Sequence, residues 1–358
     1  MIWLSWRQAR ASLVTAAAAV CAVVAVVLVT GPRLADLARR SSSVYDALTG
    51  TDRTLFYAGI ALVALTPGMV GAFWGAPLIA RELEAGTHRL AWTQSVTRSR
   101  WLTGKMVVIT AAAAAAVAAV SLSVTWWSAP LDGATSATHG ALPSRLTPIS
   151  FAMRGVAPVG YVVLAVVLGL AVGAVLRRTL PAMALTLALY LIVQIVVPVW
   201  VRPHLIPPVT ATLSFSQATL DGISLDPQGT LSITLHTANR DDWVLSNDTI
   251  DARGAITTLP AWFSSCAGTG PDQPAAQTPS QAPGVTESQG LGGSTAQARA
   301  ASPGTCLTRL SDAGYRQRLV YQPASRFWPL QWAETALYLA VSALLLAGTF
   351  WWTRHRIS

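Results

Sequence analysis

The chain has 358 residues, of which 52% are hydrophobic and 11% are charged, and its formal net charge is +9. A soluble domain carries about 25% charged residues, so this composition excludes a soluble globular enzyme and a charged disordered tail. The apolar residues are gathered into blocks of about 20 residues, which is the length needed to cross a bilayer. The sequence therefore predicts a membrane protein with several spans.

Six blocks qualify as membrane-spanning helices. They cover residues 11–30, 55–80, 106–127, 156–176, 180–201 and 333–352. The first block lacks the cleavage site of a signal peptide and is expected to be retained. The expected fold is an all-α polytopic membrane bundle, in which residues 11–201 hold the first five helices and residues 333–352 form the sixth.

The basic residues near the ends of the spans predict the orientation, because Lys and Arg are enriched in short cytoplasmic loops. The predicted inner segments hold a large excess of Arg, whereas the charges of the outer segments nearly balance. We therefore expect a multi-pass protein of the cell membrane with both termini in the cytoplasm, ending in a basic tail at residues 353–358. Because topology explains the basic charge, no nucleic-acid partner is expected.

The longest outer segment, residues 202–328, is expected to be an extracytoplasmic insert between the fifth and sixth spans. Alternating apolar and polar residues at 231–235 and a Thr/Ser-rich run at 209–217 predict short β-strands. The stretch 268–304 is rich in Pro, Gln and Ser and is expected to be disordered. It is bracketed by two cysteines, which are treated next.

Cys266 and Cys306 lie at the two ends of that stretch, whereas Cys21, the third cysteine, lies inside the first span and cannot reach them. A pair of cysteines that faces an oxidising compartment is expected to form a disulfide. The alternative is two free thiols in a loop.

The sequence predicts no phosphate-binding loop, no metal site and no cofactor in this chain. Gly104-Lys105 is followed by Met106 instead of Ser or Thr, and Ser99 stands where a phosphate-binding loop needs its first glycine. The scattered histidines predict no metal site, and no cofactor is expected in this chain. The spans contain essentially no ionisable residue when Glu334 is placed at the mouth of the last one, which disfavours a proton- or sodium-driven transporter.

Two pairs of glycines inside the spans are each spaced four residues apart, Gly71 with Gly75 and Gly169 with Gly173. This spacing places each pair on one helix face, where a neighbouring helix can approach closely. One interpretation is helix packing within a single bundle, and the other is a dimer seam or a moving interface.

Two segments on the predicted cytoplasmic side carry patterns. Residues 1–10 place tryptophans against arginines and predict a short interfacial helix, although an ordinary aromatic and basic flank fits equally well. In the loop of residues 81–105, Gly86 and Thr87 can end one helix and begin another. A compact charged elbow of this kind suits the docking of a cytoplasmic protein, and a solvated connector is the alternative.

This elbow resembles the permease subunits of type-2 ABC exporters. The matching residues are Arg81, Glu82, Gly86, Thr87, Gly104 and Lys105. The plan of an interfacial N-terminal helix, six spans and a basic C-terminus resembles the family as well. The large outer segment, the residues 325–328 before the last span and the preference for Arg over Lys resemble an actinobacterial branch of it.

The resemblance implies a permease that forms dimers in the lipid bilayer and exports a small molecule, a drug or a lipid-like substrate. It implies a separate cytoplasmic ATP-binding cassette protein, which binds ATP and Mg and hydrolyses the nucleotide. Arg81, Glu82, Gly86 and Thr87 would then belong to the segment that couples the two subunits. One rival is a membrane sensor with an outer ligand-binding domain, which would need a cytoplasmic output domain. The other is a membrane-bound enzyme, for which the sequence offers no catalytic set.

Overall fold

The computed structural model describes residues 2–40, 49–85, 98–134, 144–225, 231–237, 239, 241–266 and 303–356. The chain divides into two compact units. Met1–Pro208, Asn239–Trp243 and Gln322–Ser358 form the first unit, and Val209–Ala238 and Val244–Tyr321 form the second.

In the part of the chain that the structure describes, the first unit contains six helices that are long and apolar enough to cross a membrane. They are α1 (Ile2–Arg40), α2 (Gly50–Glu84), α3 (Arg98–Ala134), α4 (Ala157–Leu176), α5 (Thr179–Leu205) and α6 (Phe327–Arg356). A short helix, Pro148–Ala152, precedes α4. The predicted bundle of six spans is confirmed.

The first helix is longer than the sequence predicts, because α1 continues without a break through Gly31 and Pro32. A Cβ at Gly31 would lie 2.6 Å from the ring of Trp126, so α1 and α3 are in close contact at this point. Trp127 Nε1 also donates to Thr30 Oγ1 at 2.9 Å. Such packing by a neighbouring helix lets a membrane helix tolerate a proline. At the other end, residues 2–10 are continuous with α1, and their position at the membrane surface stays a prediction.

Two of the spans contain a single turn of π-helix, at Gly71–Gly75 in α2 and at Val197–Val201 in α5. The first follows Pro67, and the N–H of Gly71 donates to the carbonyls of both Pro67 and Gly68. The second contains Pro198 and ends immediately before Arg202. Turns of this kind occur often at functional positions of long helices. Both positions take part in the contacts that are described below.

The second unit is built on two small sheets. One has the strand order β1-β5-β4, and the other pairs β2 with β3. The strands are β1 (Val209–Leu213), β2 (Leu220–Leu225), β3 (Leu231–Leu235), β4 (Trp243–Ile250) and β5 (Arg316–Gln322). The predicted strand at 231–235 is found as β3, and the run at 209–217 is a strand over Val209–Leu213 (β1). The sheets pack with two short helices, Trp262–Cys266 and Pro303–Asp312, around the buried side chains of Phe215, Leu235 and Leu310.

Three predicted boundaries differ from the structure. Residues 202–205 belong to the end of α5, not to the insert. The last span begins at Phe327, not at residue 333, and its helix includes residues 353–356 of the predicted tail. Within the stretch that was expected to be disordered, Pro303 and Gly304 begin a helix whose Leu307 and Leu310 are buried; residues 267–302 lie outside the described part.

Candidate functional site

The elbow predicted at residues 81–105 is helical at both of its described ends. Arg81 and Glu82 lie in the last turn of α2, where Arg81 is exposed and Glu82 is half-buried. Residues 98–105 form the beginning of α3. Gly86 and Thr87 lie outside the described residues, so the predicted helix stop is not among the structural findings.

Glu84, in the same last turn of α2, makes a long-range contact. Thr179, the first residue of α5, donates to Glu84 Oε2 from its backbone N at 2.9 Å and from its Oγ1 at 2.6 Å. A helix begins with unpaired N–H groups and a partial positive charge, both of which favour a carboxylate. Glu84 therefore joins the end of α2 to the beginning of α5. The sequence analysis missed this contact, because the two residues are 95 positions apart and no local pattern connects them.

The same end of the bundle contains a tight connection between α4 and α5. Only Arg177 and Arg178 separate the two helices. Arg177 adopts a left-handed conformation with φ of 55°, and its N–H donates to the carbonyl of Gly173 at 3.0 Å. This geometry closes the end of α4 and reverses the chain at once. Hence α4 and α5 form an antiparallel hairpin whose turn lies beside Glu84.

The two glycine pairs face each other inside this one chain, α2 against α4. A Cβ at Gly71 would lie 2.5 Å from the carbonyl oxygen of Ala165, and one at Gly75 would lie 2.8 Å from that of Val166. From the other side, a Cβ at Gly173 would lie 2.6 Å from the carbonyl oxygen of Ala76. A Cβ at Gly169 would be equally close to the backbone of α2, 2.7 Å from Ala76 N. The glycines thus allow the two backbones to touch, which corresponds to the packing interpretation.

Helix α4 is the centre of the first unit. In its most apolar window, 67% of the residues are buried, far more than in any other described span. Besides α2, it packs against α3, α5 and α6. Helix α4 is therefore in contact with each of these four helices, and with α2 through backbone atoms.

A buried ion pair lies at the opposite end of α5. Arg202 Nε donates to Glu334 Oε2 at 2.6 Å, and Arg202 Nη2 donates to Glu334 Oε1 at 3.0 Å. Both side chains are completely buried, and Glu334 lies about two turns inside α6. The expectation that the spans hold no ionisable residue is therefore wrong.

The pair is held by its neighbours in the way that a buried charge requires. Tyr161 of α4 donates from its hydroxyl to Glu334 Oε1 at 2.6 Å. The guanidinium of Arg202 lies 4.1 Å from the ring centre of Phe151, and its Nη1 donates to the carbonyl of Pro148. These contacts join α4, α5, α6 and the short helix before α4 at one point.

A second polar cluster lies beside the first one. The rings of Tyr161 and Tyr338 are 4.8 Å apart, and the hydroxyl of Tyr338 donates to Gln194 Oε1 at 3.1 Å. Gln194 Nε2 in turn donates to the hydroxyl of Tyr190 at 2.5 Å, and that hydroxyl lies 3.5 Å from the carbonyl oxygen of Ala64. The polar contacts therefore reach from α6 through α5 to α2.

The sequence carries a signal for this cluster. Polar residues recur along α6 at helical spacing and therefore lie on one face. They are Gln331, Glu334, Thr335, Tyr338 and Ser342, all buried. A polar stripe inside an apolar helix indicates a face that is turned towards other helices rather than lipid.

In the second unit, Cys266 and Cys306 are joined by a disulfide with a Cα–Cα distance of 5.8 Å. Cys306 is fully buried in the core of that unit. The free Cys21 is exposed on α1. The bond therefore joins the two short helices of the unit, across a sequence separation of 40.

Comparison with known proteins identifies the family of the chain. The model of the family described as ABC-2 membrane transporter related matches residues 17–202, from within α1 to Arg202 of α5. No curated protein and no solved structure gives a significant match. The matched region covers more than half of the chain and includes the glycine seam and the Glu84–Thr179 contact. The chain therefore belongs to the ABC-2 membrane transporter related family, and it is a multi-pass membrane protein of the permease type.

Proposed function

We propose that the chain is the membrane-spanning permease subunit of an ATP-driven type-2 ABC exporter. The family match over residues 17–202 is the observation that carries this proposal. A separate cytoplasmic ATP-binding cassette protein binds ATP and Mg and hydrolyses the nucleotide. Two copies of the permease form the transport path within the bilayer, and both termini of each copy lie in the cytoplasm. The substrate is a small molecule, a drug or a lipid-like compound, and the chain belongs to an actinobacterial branch.

In this proposal, the last turn of α2 receives the motion of the ATPase. Arg81, Glu82 and the following Gly86 and Thr87 form the docking segment. The contact between Glu84 and Thr179 supports the role, since it would pass a displacement of α2 to the α4–α5 hairpin. The seam between α2 and α4 supports it as well, because two backbones in direct contact move together.

The test is purification of the tagged chain from its native membrane, followed by reconstitution into vesicles. An ATP-binding cassette protein should co-purify, and the complex should hydrolyse ATP. The chain alone should neither bind nor hydrolyse ATP, because its sequence contains no phosphate-binding loop. A complex with a hydrolysis-deficient variant of the partner serves as the control for contaminating ATPases. Stoichiometric ATP binding to the isolated chain would overturn the proposal, and recovery without any ATPase would favour a sensor.

A further inference from the structure

Helix α5 is attached to α2 on both sides of the π-helical turn Gly71–Gly75. On the C-terminal side of this turn, Thr179 donates to Glu84. On the N-terminal side, Tyr190 packs against Gly68. Thr179 and Tyr190 are about 16 Å apart along α5, at 1.5 Å per residue. The irregular turn of α2 therefore lies between two points of contact with the same neighbouring helix.

The ring of Tyr190 occupies the space that a side chain at position 68 would need. A Cβ at Gly68 would lie 2.7 Å from Cδ1 and 2.9 Å from Cε1 of that ring. The side chain of Tyr190 is 1% exposed, so its neighbours enclose it, and a closely packed interior resists its displacement. The ring thus packs directly on the backbone of α2.

The hydroxyl of Tyr190 lies beside a turn of α2 that lacks a hydrogen bond. Pro67 has no N–H, so the helix loses one bond of its ladder there. The Tyr190 hydroxyl donates to the carbonyl oxygen of Ala64 in this turn, at 3.5 Å. Gln194 donates to the same hydroxyl at 2.5 Å and accepts from Tyr338 of α6 at 3.1 Å. Neighbouring side chains of this kind allow a membrane helix to contain a proline.

The sequence of α2 favours a change of direction in this region. Helices bend at prolines and at π-helical turns, and α2 contains Pro67 and, one turn later, Gly71–Gly75. Its N-terminal half is Gly50–Val70, and its C-terminal half is Ala76–Glu84. A displacement applied to the C-terminal half would be absorbed between the two halves unless the N-terminal half is also held. Tyr190 supplies such a hold, because it contacts α2 before the turn.

We propose that Tyr190 is a positioning residue of the transport cycle. It fixes the N-terminal half of α2 on α5, so that α2 and α5 move as one body when the cytoplasmic ATPase displaces the end of α2. Without the ring, the two halves of α2 move independently about Gly71–Gly75. The role in the cycle rests on the proposed function, whereas the contact between Tyr190 and Gly68 does not.

The contact is tested by a double-mutant cycle on the purified full chain. We expect Gly68→Ala to lower the melting temperature by about 2–4 °C, because its Cβ collides with the enclosed ring. In the Tyr190→Ala background, the same substitution should cause little or no further loss. Gly348→Ala, whose Cβ meets nothing within 4 Å, is the control for the added methyl group. Equal losses from Gly68→Ala in both backgrounds would overturn the proposal.

The position of α2 is measured by pulsed electron paramagnetic resonance on the full chain, reconstituted in phosphatidylcholine vesicles. Spin labels replace the exposed Tyr57 of α2 and Ile195 of α5, in a Cys21→Ser background that keeps the disulfide. We expect one narrow distance distribution in the wild type and in Tyr190→Phe, which keeps the ring. Tyr190→Ala should broaden the distribution, and Tyr190→Leu replaces that variant if it does not fold.

Phe263→Ala is the control for a general loss of stability. Phe263 is an aromatic residue of the second unit, also 1% exposed, so its truncation leaves a cavity in the core of that unit. We expect it to lower the melting temperature but to leave the Tyr57–Ile195 distribution narrow. A distribution that stays narrow in a folded Tyr190→Ala or Tyr190→Leu variant would rule out the positioning role.

The role in the cycle is tested on the complex with the ATP-binding cassette protein. Trapping the complex with ATP, Mg and vanadate should leave the wild-type Tyr57–Ile195 distance unchanged, since α2 and α5 move together. The same treatment should shift the distance in Tyr190→Ala. A shift in the wild type, or none in the Tyr190→Ala variant, would overturn the role. If no ATPase co-purifies, the permease assignment fails, and the measurements on the chain alone still decide the contact.

Discussion

The Arg202–Glu334 pair is completely buried, and its two side chains share two hydrogen bonds. Removing one charge of such a pair leaves the other without compensation, at a cost of about 3–5 kcal/mol. Replacing both charges by apolar side chains of similar volume is often nearly neutral. The two kinds of replacement therefore distinguish a structural pair from a pair that transport requires.

We expect Arg202→Met to lower the melting temperature of the purified permease strongly, because Glu334 then lies buried and unpaired. The double variant Arg202→Met, Glu334→Leu should recover much of the loss. Thermal unfolding followed by size-exclusion chromatography measures both. A single variant that melts like the wild type would show that Glu334 finds another partner or water. If the double variant is stable but does not transport, the pair serves transport as well as stability.

Glu82 lies half-buried in the last turn of α2. If Glu82 receives a basic residue of the ATPase in a desolvated interface, its loss costs about 2–5 kcal/mol of binding. A solvated contact would be worth less than about 1 kcal/mol. We expect Glu82→Ala to abolish transport and stimulated ATP hydrolysis without changing expression or membrane insertion.

Glu84→Gln is the matched control for that variant. It removes the same charge two residues further along α2 but keeps an oxygen that can accept from Thr179. It should transport at close to the wild-type rate. Wild-type transport by Glu82→Ala would mean that the elbow is a solvated connector and not a docking segment. Equal loss in both variants would mean that the charge of this helix end matters, not a contact of Glu82.

At the scale of elements, the seam between α2 and α4 depends on the absence of side chains. A Cβ at Gly71 would lie 2.5 Å from a backbone oxygen of α4, and a backbone cannot move aside as a side chain can. We expect Gly71→Ala to destabilise the permease by about 1–3 kcal/mol, the usual cost of overpacking. Thermal unfolding measures the change. Gly348→Ala, which meets nothing within 4 Å, should cause no loss, and equal stability of the two variants would contradict the described seam.

The spans show which parts of such a fold can be predicted from a sequence. The fourth helix was predicted to begin at residue 156 and begins at Ala157, because its whole length is apolar and charges follow it directly. The last helix was predicted to begin six residues too late, since Gln331 and Glu334 lower the hydropathy of its first turns while packing hides them from lipid. Hydropathy measures transfer to lipid, so it misplaces polar residues that are buried against protein.

The sequence did not predict which residues or helices that are far apart in the chain come into contact. The glycine spacing predicted close approach of helices, but it did not indicate that α4 would be the partner of α2. Glu84 and Thr179 carry no mutual signal, and Arg202 was counted with the insert because its counter-charge is far away in the chain. Such pairings follow from the three-dimensional arrangement of helices, which periodicity along one helix does not contain.

At the scale of the whole molecule, the disulfide reports the orientation of the chain. If residues 202–328 face the outside, Cys266 and Cys306 lie in an oxidising compartment and stay bonded. A membrane-impermeant maleimide applied to intact cells should label the partly exposed Cys266 only after reduction, whereas Cys306 is buried in the core of its unit. The background variant Cys21→Ser removes the free thiol of α1 from the signal. Strong labelling before reduction would contradict the disulfide, and no labelling after reduction would contradict the orientation.

The family could be predicted from the sequence, because the features that resemble it are patterns read along the chain. The resemblance rested on the residues of the elbow and on the order of six spans, and the family match covers residues 17–202, which contain that elbow. The second unit lies beyond the match, so neither its strands nor its disulfide is explained by the family.

The Arg202–Glu334 ion pair also bears on the order in which α5 and α6 are inserted during synthesis. Glu334 follows Arg202 by 132 residues. At roughly 5–20 residues per second, the ribosome delivers the counter-charge about 7–26 s after the arginine. During this interval, an unpaired guanidinium would be costly within hydrocarbon, so we expect Arg202 to remain at the membrane surface and the end of α5 to stay incompletely inserted. The final docking of α5 should then follow the insertion of α6, and a chain truncated before Glu334 should leave Arg202 accessible to water.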